Sequence, residues 1–584
     1  MAGNQPHLTC IFLEVERLAE TEAKPFTATS ARNVRELFAM LQGRTEGLLK
    51  SGAVMAAGTI VSRVTGFLRT IVTGAAIGAG SLNDTYQVAN VLPTMVYVLV
   101  GGGALNAVFV PQLVRSMKND EDGGDAYANR LITLVVVLLA GVSTVCVLAA
   151  PALVRMMSPQ IASDPRQLHV AVAFARYCLP TMFFMGVHVV LGQILNARGR
   201  FGAMMWTPVL NNIVTIATFG AFIHVFGRYT ASGVTPSDIT PGGVRLLGVG
   251  TLLGLTVQAL AMIPYVRAAG LTIRPRFDWK GHGIGRAMRL AKWTFFFVLA
   301  NQLGLIAVTQ LATWAGSIAE RQGHSATGIT AYNYAMLLWQ MPQAVITVSV
   351  MTAVLPRLAR SAQEGNTAAV REDVSYGLRT SAVAVVPCAF AFLALGMPMA
   401  TLLYAGTGEA QARGIGIVLM AFGLGLIPYS AQYVVLRGFY AYDDTRTPFF
   451  NTVVVAVANS TGALLAFLIL PARWAVAGMA AAYGLACAVG TVIAWRRLRT
   501  RLGGELDDAR VAKTYARLVG ASVPAACAGG AVAAGITWVM GNGATGSLTA
   551  LIAGGPVLFG VFLVLARRMR VGEVDALLSG LLRR

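Results

Sequence analysis

The stretch "LITLVVVLLAGVSTVCVLAAPALV" (131–154) carries no charged residue over 24 positions. An α-helix of about 20 apolar residues crosses a hydrocarbon core of about 30 Å. Windows of this kind recur along nearly all of the 584 residues. Fourteen membrane spans are predicted, near 51–76, 86–114, 131–156, 170–195, 204–226, 246–266, 290–315, 329–356, 374–398, 414–436, 448–470, 474–495, 515–540 and 546–566.

The composition supports a membrane protein. The chain is 55% hydrophobic and 12% charged, with a mean hydropathy of +0.63, whereas soluble domains carry about 25% charged residues. Spans this long and uniformly apolar favour helices over barrel strands, which alternate over about 10 residues. The sequence therefore predicts an all-α polytopic membrane protein.

The distribution of Lys and Arg predicts the orientation. With a cytoplasmic amino terminus, the inner loops and the carboxyl tail hold 29 Lys and Arg residues, and the outer side holds seven. This bias predicts that both termini are cytoplasmic. The net charge of +20 is spread over loops that face anionic lipid, so it does not indicate nucleic-acid binding. The seven outer residues are Arg155, Arg166, Arg228, Arg245, Arg321, Arg413 and Arg473.

Motifs for metal, nucleotide and covalent chemistry are missing from the sequence. The six cysteines form no C-x-x-C, no two histidines lie within four residues of each other, and no Gly-Lys pair occurs. Zinc sites and phosphate-binding loops need such spacings. We expect no metal, no cofactor and no catalytic residue; the repeat and the resemblance described below lead us to expect a transporter, not an enzyme.

Two pairs of similar segments indicate an internal repeat. "VPQLVRS" (110–116) and "LPRLARS" (355–361) begin 245 residues apart, and "TPVLNN" (207–212) and "TPFFNT" (447–452) begin 240 apart. Both offsets equal six spans, and an even number of spans preserves orientation. We predict two parallel six-helix lobes around a central cavity, followed by two more helices. The predicted parts are 1–50, a flexible cytoplasmic extension; 51–270, the first lobe; 285–500, the second lobe; 511–570, the last two helices; and 571–584, a short cytoplasmic tail.

The segment "SRVTGFLRT" (62–70) places two arginines inside the first span. Arginine at membrane depth is costly and marks a functional site until a partner is found. Arg63 and Arg69 lie about 120° apart and about 9 Å along a helix, so they do not share a narrow face. Both can still reach one broad cavity, especially if Gly66 bends or locally unwinds the helix. Guanidinium groups bind phosphate oxygens in pairs. Snorkelling or structural pairing is the alternative.

The acidic residues point to an anionic substrate. Of the 26 Asp and Glu residues, Asp84 alone lies close to the ends of the first spans, and the others fall in loops, at helix ends or in the first 50 residues. A membrane interior lined by cations suits an anion. A proton-coupled exporter of cationic drugs needs a buried carboxylate instead.

Five dispersed motifs resemble one family. They are "SRVTGFLRTIVTGAAIGAGSLNDTYQVANVLPTMV", "GGALNAVFVPQLVR", "ILNARGRFGAMMWTPVLNNI", "TAVLPRLAR" and "GFYAYDDTRTPFFNT". Together they are similar to the MurJ/MviN lipid II flippases of the multidrug/oligosaccharidyl-lipid/polysaccharide exporter superfamily, from about residue 51 to 570. The resemblance implies fourteen helices and transfer of lipid II, an undecaprenyl-diphosphate-linked disaccharide-peptide, to the outer leaflet of the bacterial cytoplasmic membrane. It also implies that Arg63 and Arg69 bind the diphosphate.

The sequence departs from this family pattern at two places. Many members carry an arginine pair and a glutamate where this chain has Tyr97, Val98 and Gly102, and an Asp-Arg pair where it has Met336 and Leu337. The actinobacterial branch shares this pattern. Polar side chains of the seventh and eighth spans are candidate substitutes, with packing between helices as the alternative. The candidate substrate-binding residues are Arg63, Arg69, Asp84, Asn301, Gln302 and Asn333.

Other functions stay open at this point. They are a flippase for another polyprenyl-diphosphate-linked glycan, a drug or organic-cation antiporter, and a non-transporting scaffold of the cell-wall machinery. The expected partners are lipid II, membrane lipids and proteins of cell-wall synthesis or division. A scaffold has no need of two arginines that face a hollow.

The predicted topology is testable by cysteine labelling. A cysteine at Ser325, between the seventh and eighth spans, is expected to react from outside with an impermeant maleimide, because this loop is on the side of the membrane with few Lys and Arg residues. A cysteine at Gly504 is expected to react only after the membrane is opened. The opposite labelling pattern would contradict the predicted orientation.

Overall fold

The computed structural model describes residues 57–102, 113, 116–117, 122, 124–230, 234–278, 292–324, 328–504 and 506–575. These residues are helical or irregular, and no strand occurs among them. The predicted extension 1–50, the labelling site Ser325, most of "VPQLVRS" (110–116) and the end of the tail lie outside the described residues.

Fourteen helical segments, labelled α1 to α14, correspond in order to the predicted spans. Thirteen of them are long and apolar enough to cross a membrane within the described ranges. The other, α2, continues as a π-helical turn at Val98–Gly102, where the described part of this span stops, so the full count of fourteen spans remains a prediction. The segments are α1 Ala57–Ile77, α2 Ser81–Tyr97, α3 Asp125–Leu148, α4 Pro165–Ala197, α5 Gly202–Phe226, α6 Pro241–Ala268, α7 Lys292–Arg321, α8 Ile329–Gln363, α9 Thr367–Leu403, α10 Glu409–Tyr440, α11 Arg446–Ile469, α12 Ala472–Arg501, α13 Asp508–Met540 and α14 Ala544–Arg568.

Local sequence signals fix where several helices begin. Helix α6 begins with Pro241, which needs no hydrogen bond from its nitrogen, and the Thr240 side chain accepts from the Gly243 backbone N–H. Asn366 caps α9 in the same way by accepting from the Ala369 N–H. Most described helices extend beyond the predicted spans at one or both ends because hydropathy reports only the part inside lipid. Helix α3 instead ends at Leu148, before the predicted end of its span at 156.

The apolar cores separate the two halves of the chain. The described residues from Val61 onward belong to one compact unit. The core of the first half is built from residues between Ala76 and Leu271, with Phe219 and Phe222 fully buried. A second core gathers residues between Val308 and Ala480, and Ala79 is its one buried member from the first half. This arrangement agrees with two six-helix lobes, and the residue boundaries given above for the lobes remain predictions.

Helices α13 and α14 pack on α9, where a separate core joins residues of all three helices. At one end of α9, the buried Arg379 side chain donates to Glu573, which follows α14. Arg379 Nε also donates to Ser375 Oγ at 3.2 Å, and Ser375 Oγ donates to Asp507 at 2.7 Å. A buried charge is costly unless it has a partner of opposite charge. The Arg379–Glu573 pair therefore holds the end of α14 against α9 of the second half.

The repeat recurs in the backbone of α2 and α8. The π-helical turn after α2 begins at Val98, and the turn within α8 spans Gln343–Thr347. Residues 98 and 343 are 245 positions apart, which is the offset between "VPQLVRS" and "LPRLARS". Since π-helical turns are rare, their matched positions are an independent sign of the internal repeat.

Candidate functional site

A cavity of about 480 Å³ lies between the two halves and receives both arginines of α1. Helices α1, α2, α5, α6 and α8 contribute to its wall. None of the described lining residues is acidic. They are Arg63, Gly66, Phe67, Arg69, Thr70, Thr73, Tyr86, Gln87, Asn90, Val91, Asn211, Thr215, Thr251, Leu255, Asn333, Tyr334, Leu337 and Met341.

Helix α1 runs unbroken past Gly66, so no bend there is needed to bring Arg63 and Arg69 to one cavity. Asn212 of α5 braces this part of α1, because its Nδ2 donates to the Ser62 carbonyl at 3.1 Å and to Thr65 Oγ1 at 3.0 Å. A Cβ added at Gly66 would lie 3.5 Å from Asn212 Nδ2, an ordinary van der Waals distance, so this contact does not require glycine.

The charge in the cavity is positive and uncompensated by the described part of the chain. The Arg63 side chain is exposed, and Arg69 is partly buried. Neither forms an ion pair with a described acidic residue. Because a guanidinium offers five donors in a fixed plane and no acceptor, the two side chains form a site for an anion with several oxygens.

Amide and hydroxyl groups surround the two arginines. Gln87 and Asn90 of α2 lie one helical turn apart, as do Asn211 and Thr215 of α5, and all four line the cavity. Tyr86 Oη and Thr251 Oγ1 form a hydrogen bond of 2.8 Å in the wall. Sequence reasoning missed these residues. Their signal is the helical spacing of polar side chains inside otherwise apolar spans.

The structure divides the six candidate binding residues into two groups. Arg63, Arg69 and Asn333 line the cavity, and Asp84, Asn301 and Gln302 do not. Gln302 is buried on α7 and donates to the Met95 carbonyl of α2 at 3.3 Å, which is a packing contact between helices. Asn301 is exposed on α7.

The α8 wall is apolar where the family resemblance indicates charge. Leu337, which stands at the arginine position of that pattern, lines the cavity. Met336 packs against the core of the second half. The positive charge on the described wall therefore comes from α1.

Asp84 belongs to a contact between the two halves at the predicted outer side. Its Oδ1 accepts from the Thr330 backbone N–H of α8 at 2.8 Å. Nearby, Gln411 Oε1 of α10 accepts from the Ala79 N–H at 2.6 Å. A Cβ at Gly328 would lie 1.8 Å from Asp84 Oδ2, so this close approach requires glycine.

A second glycine contact closes the same side. A Cβ on Gly406, which follows α9, would lie 2.6 Å from Ala75 Cβ of α1. Similarly, a Cβ on Gly74 would lie 2.7 Å from Thr407 Cγ2. The two halves therefore touch through backbone and small side chains where α1 ends and where α2, α8 and α10 begin, and Asn83 Nδ2 also donates to Tyr334 Oη across the contact at 2.9 Å. In this state the predicted outer side is the closed one.

Comparison with known proteins places these features in context. Residues 74–554 match the family described as lipid II flippase MurJ. A probable lipid II flippase MurJ of Haemophilus influenzae is 27% identical over 75% of this chain and 84% of its own length. Another from Synechocystis is 25% identical over 91% of this chain and 97% of its own length.

Solved structures share the fold. A lipid II flippase MurJ in an inward closed conformation matches with a TM-score of 0.65 and 17% identity, over 88% of this chain and 99% of its own. An inward-facing multidrug resistance transporter of the MATE family matches with a TM-score of 0.60 and 17% identity, over 77% and 98%. At 17% identity, both structural similarities concern the fold alone.

The glycine contact is testable by labelling of the cavity. In a variant without native cysteines that carries Leu337→Cys, we expect little reaction with an impermeant maleimide added outside. Adding Gly328→Ala is expected to raise the reaction severalfold, because the new methyl collides with Asp84 and destabilises the closed outer side. Gly555→Ala is the matched control, since its Cβ would meet no atom within 4 Å. Equal labelling of the two glycine variants would contradict the role of this contact, which we call the gate, in closing the predicted outer side.

Proposed function

We propose a mechanism from one premise: this chain belongs to the lipid II flippase MurJ family. It is a multi-pass membrane transporter that moves lipid II across the membrane, and not an enzyme. We infer that the diphosphate of lipid II lies against Arg63 and Arg69 in the cavity between the two halves. One observation carries this assignment: two arginines without a described acidic partner share a cavity whose described lining contains no acid.

The arginines suit a diphosphate in both charge and shape. A diphosphate offers several oxygens along a short linear group, and each guanidinium makes two parallel hydrogen bonds to such oxygens. The substrate also supplies the negative charge that the cavity lacks. Binding therefore offsets the cost of holding two cations at membrane depth.

The remaining cavity wall suits the sugar end of the substrate. Amides at Gln87, Asn90, Asn211 and Asn333 both donate and accept hydrogen bonds. Sugar hydroxyls need both kinds of partner, whereas a lipid chain needs neither. We propose that these amides orient the first sugar after the diphosphate has bound.

Transport requires the closed outer side to open. We propose that the two halves rock about the cavity, as in other transporters built from repeats. In this movement the Asp84–Thr330 and Gln411–Ala79 hydrogen bonds break, and the glycine contacts separate. Asp84 then acts in the gate, and the cavity arginines act on the substrate.

The charge of the cavity also bears on the alternatives. A drug or organic-cation antiporter would place a carboxylate beside its cationic ligand, and the described cavity lining has none. A flippase for another polyprenyl-diphosphate-linked glycan uses the same phosphate chemistry, so the sugar contacts distinguish it. We propose in addition that both termini are cytoplasmic, in line with the charge bias of the loops.

The first test of this mechanism removes one cavity arginine. Arg63→Ala is expected to abolish complementation of a strain depleted of its own flippase, with normal amounts of protein in the membrane. Arg63→Lys is expected to restore activity only in part, because an ammonium lacks the planar pair of donors. Arg245→Ala, which removes an exposed arginine outside the cavity, is the matched control. Full activity of Arg63→Ala would remove the proposed diphosphate site.

The second test concerns the energy source. An inside-negative potential favours outward movement of negative charge by about 2.3 kcal/mol per charge per 100 mV. We expect flipping to stop when a potassium ionophore collapses the potential at constant pH, and to continue when the pH gradient alone is removed. Dependence on a proton or sodium gradient would instead require a coupling-ion site, with Asp84, Asn301 and Asn333 as the first residues to test.

A further inference from the structure

A second basic cavity lies at the predicted outer end of the second half. It has a volume of about 340 Å³ and lies between the end of α7 and the first turns of α10 and α12. Arg413 of α10, Arg473 of α12 and His324 after α7 line it. It shares no lining residue with the cavity that contains Arg63 and Arg69. We call it the outer pocket.

The two arginines of the outer pocket lie at similar membrane depth. Arg413 is the fifth residue of α10, and Arg473 is the second residue of α12. Both helices begin on the predicted outer side, so both guanidinium groups lie near the level of the outer lipid headgroups. The amino-terminal ends of the two helices add partial positive charge there.

Neither arginine is neutralised by the described part of the protein. No described acidic residue forms an ion pair with Arg413 or Arg473. Glu409, in the first turn of α10, is exposed and is not among the residues that line the pocket. The outer pocket therefore has the electrostatic character of an anion site.

These arginines lie on the predicted outer side, where the chain has few Lys and Arg residues. The predicted outer loops of the second half contain three arginines and no lysine; the arginines are Arg321, Arg413 and Arg473. Two of the three line this one pocket, and Arg321 precedes its third basic group, His324, by three residues. Membrane topology disfavours arginine on this side, so topology does not explain their concentration, whereas an anionic ligand does.

The rest of the lining distinguishes a lipid from a free anion. Below the basic rim the wall is apolar, with Ile417 and Val418 from α10 and Val476 and Ala477 from α12. Trp474 is 42% exposed, and the Arg473 guanidinium carbon lies 5.8 Å from the centre of its ring. Tryptophan favours the level where headgroups meet acyl chains, and a free phosphate gains nothing from an apolar wall.

We propose that the outer pocket binds an anionic phospholipid of the outer leaflet, with its phosphate between Arg413 and Arg473 and its glycerol and first acyl carbons against the apolar wall. Guanidinium groups bind phosphate through paired hydrogen bonds. Because the segment that follows α7 and the first turns of α10 and α12 contribute to the pocket, a bound lipid would hold these three parts of the chain together. This site is separate from substrate transport through the cavity.

The test measures lipid binding to the full-length protein in a neutral detergent by native mass spectrometry. We expect dioleoyl phosphatidylglycerol to bind at least tenfold more tightly than dioleoyl phosphatidylcholine. In Arg413→Gln/Arg473→Gln this preference is expected to fall to about the level of phosphatidylcholine. Arg413→Lys/Arg473→Lys is expected to keep part of it, because the charge remains without the planar donors.

Matched controls separate this site from general charge and from the transport cavity. Arg166→Gln/Arg245→Gln removes two exposed arginines from the predicted outer side of the first half and is expected to leave the preference unchanged. Arg63→Ala is also expected to leave it unchanged, even where transport is lost. An unchanged preference in Arg413→Gln/Arg473→Gln of normal melting temperature would overturn the proposal.

A soluble competitor distinguishes the two sources of phosphate. Glycerol 3-phosphate carries the same charged group without acyl chains, and we expect millimolar concentrations to leave phosphatidylglycerol bound. Displacement by glycerol 3-phosphate at micromolar concentrations would overturn the lipid assignment and show a site for a soluble phosphate.

Discussion

The cost of unpaired positive charge at membrane depth governs the central part of this structure. Arg63 and Arg69 have no carboxylate partner among the described residues, so they need either water or an anion. A closely packed bundle would offer neither, and the cavity between the two halves provides room for both. The amides around the arginines then become useful, because a polar cavity can hold hydrogen-bonding groups that lipid would exclude. The cavity, its polar wall and its ligand chemistry all follow from this single constraint.

The contact at the predicted outer side uses the opposite chemistry. There the two halves meet largely through glycine, alanine and backbone groups, and the hydrogen bonds of Asp84 and Gln411 end on main-chain groups. Backbone donors stay in place whatever the neighbouring side chains are. Such a contact forms only when the halves fit closely, and it is lost when they separate by a few ångströms. Ligand binding in the cavity thus depends on charge, whereas closure of the gate depends on close packing of the two halves.

Much of the fold could be predicted from the sequence, because hydropathy and the Lys and Arg count respond to the membrane directly. The shared cavity position of Arg63 and Arg69 was also within reach, since six residues on a helix fix their relative direction. The break between α3 and the short helix Ala150–Met157 was missed, because Pro151 interrupts hydrogen bonding without changing hydropathy. The place of Asp84 was not predictable, since its partner Thr330 lies 246 residues away. Gln302 looked like a cavity residue for a similar reason: the sequence does not say which face of α7 packs against α2.

The paired π-helical turns have a mechanical consequence. A π turn contains one residue more than an α turn, and about 100° of rotation corresponds to one residue of a helix. Shifting such a turn along the chain therefore rotates the helix on one side of it without breaking the rest. In α2 the turn follows Gln87, Asn90 and Val91 of the cavity wall, and in α8 it follows Asn333, Leu337 and Met341. The two helices that meet at this contact thus each carry, beyond the residues they present to the cavity, a turn whose shift would rotate the rest of the helix.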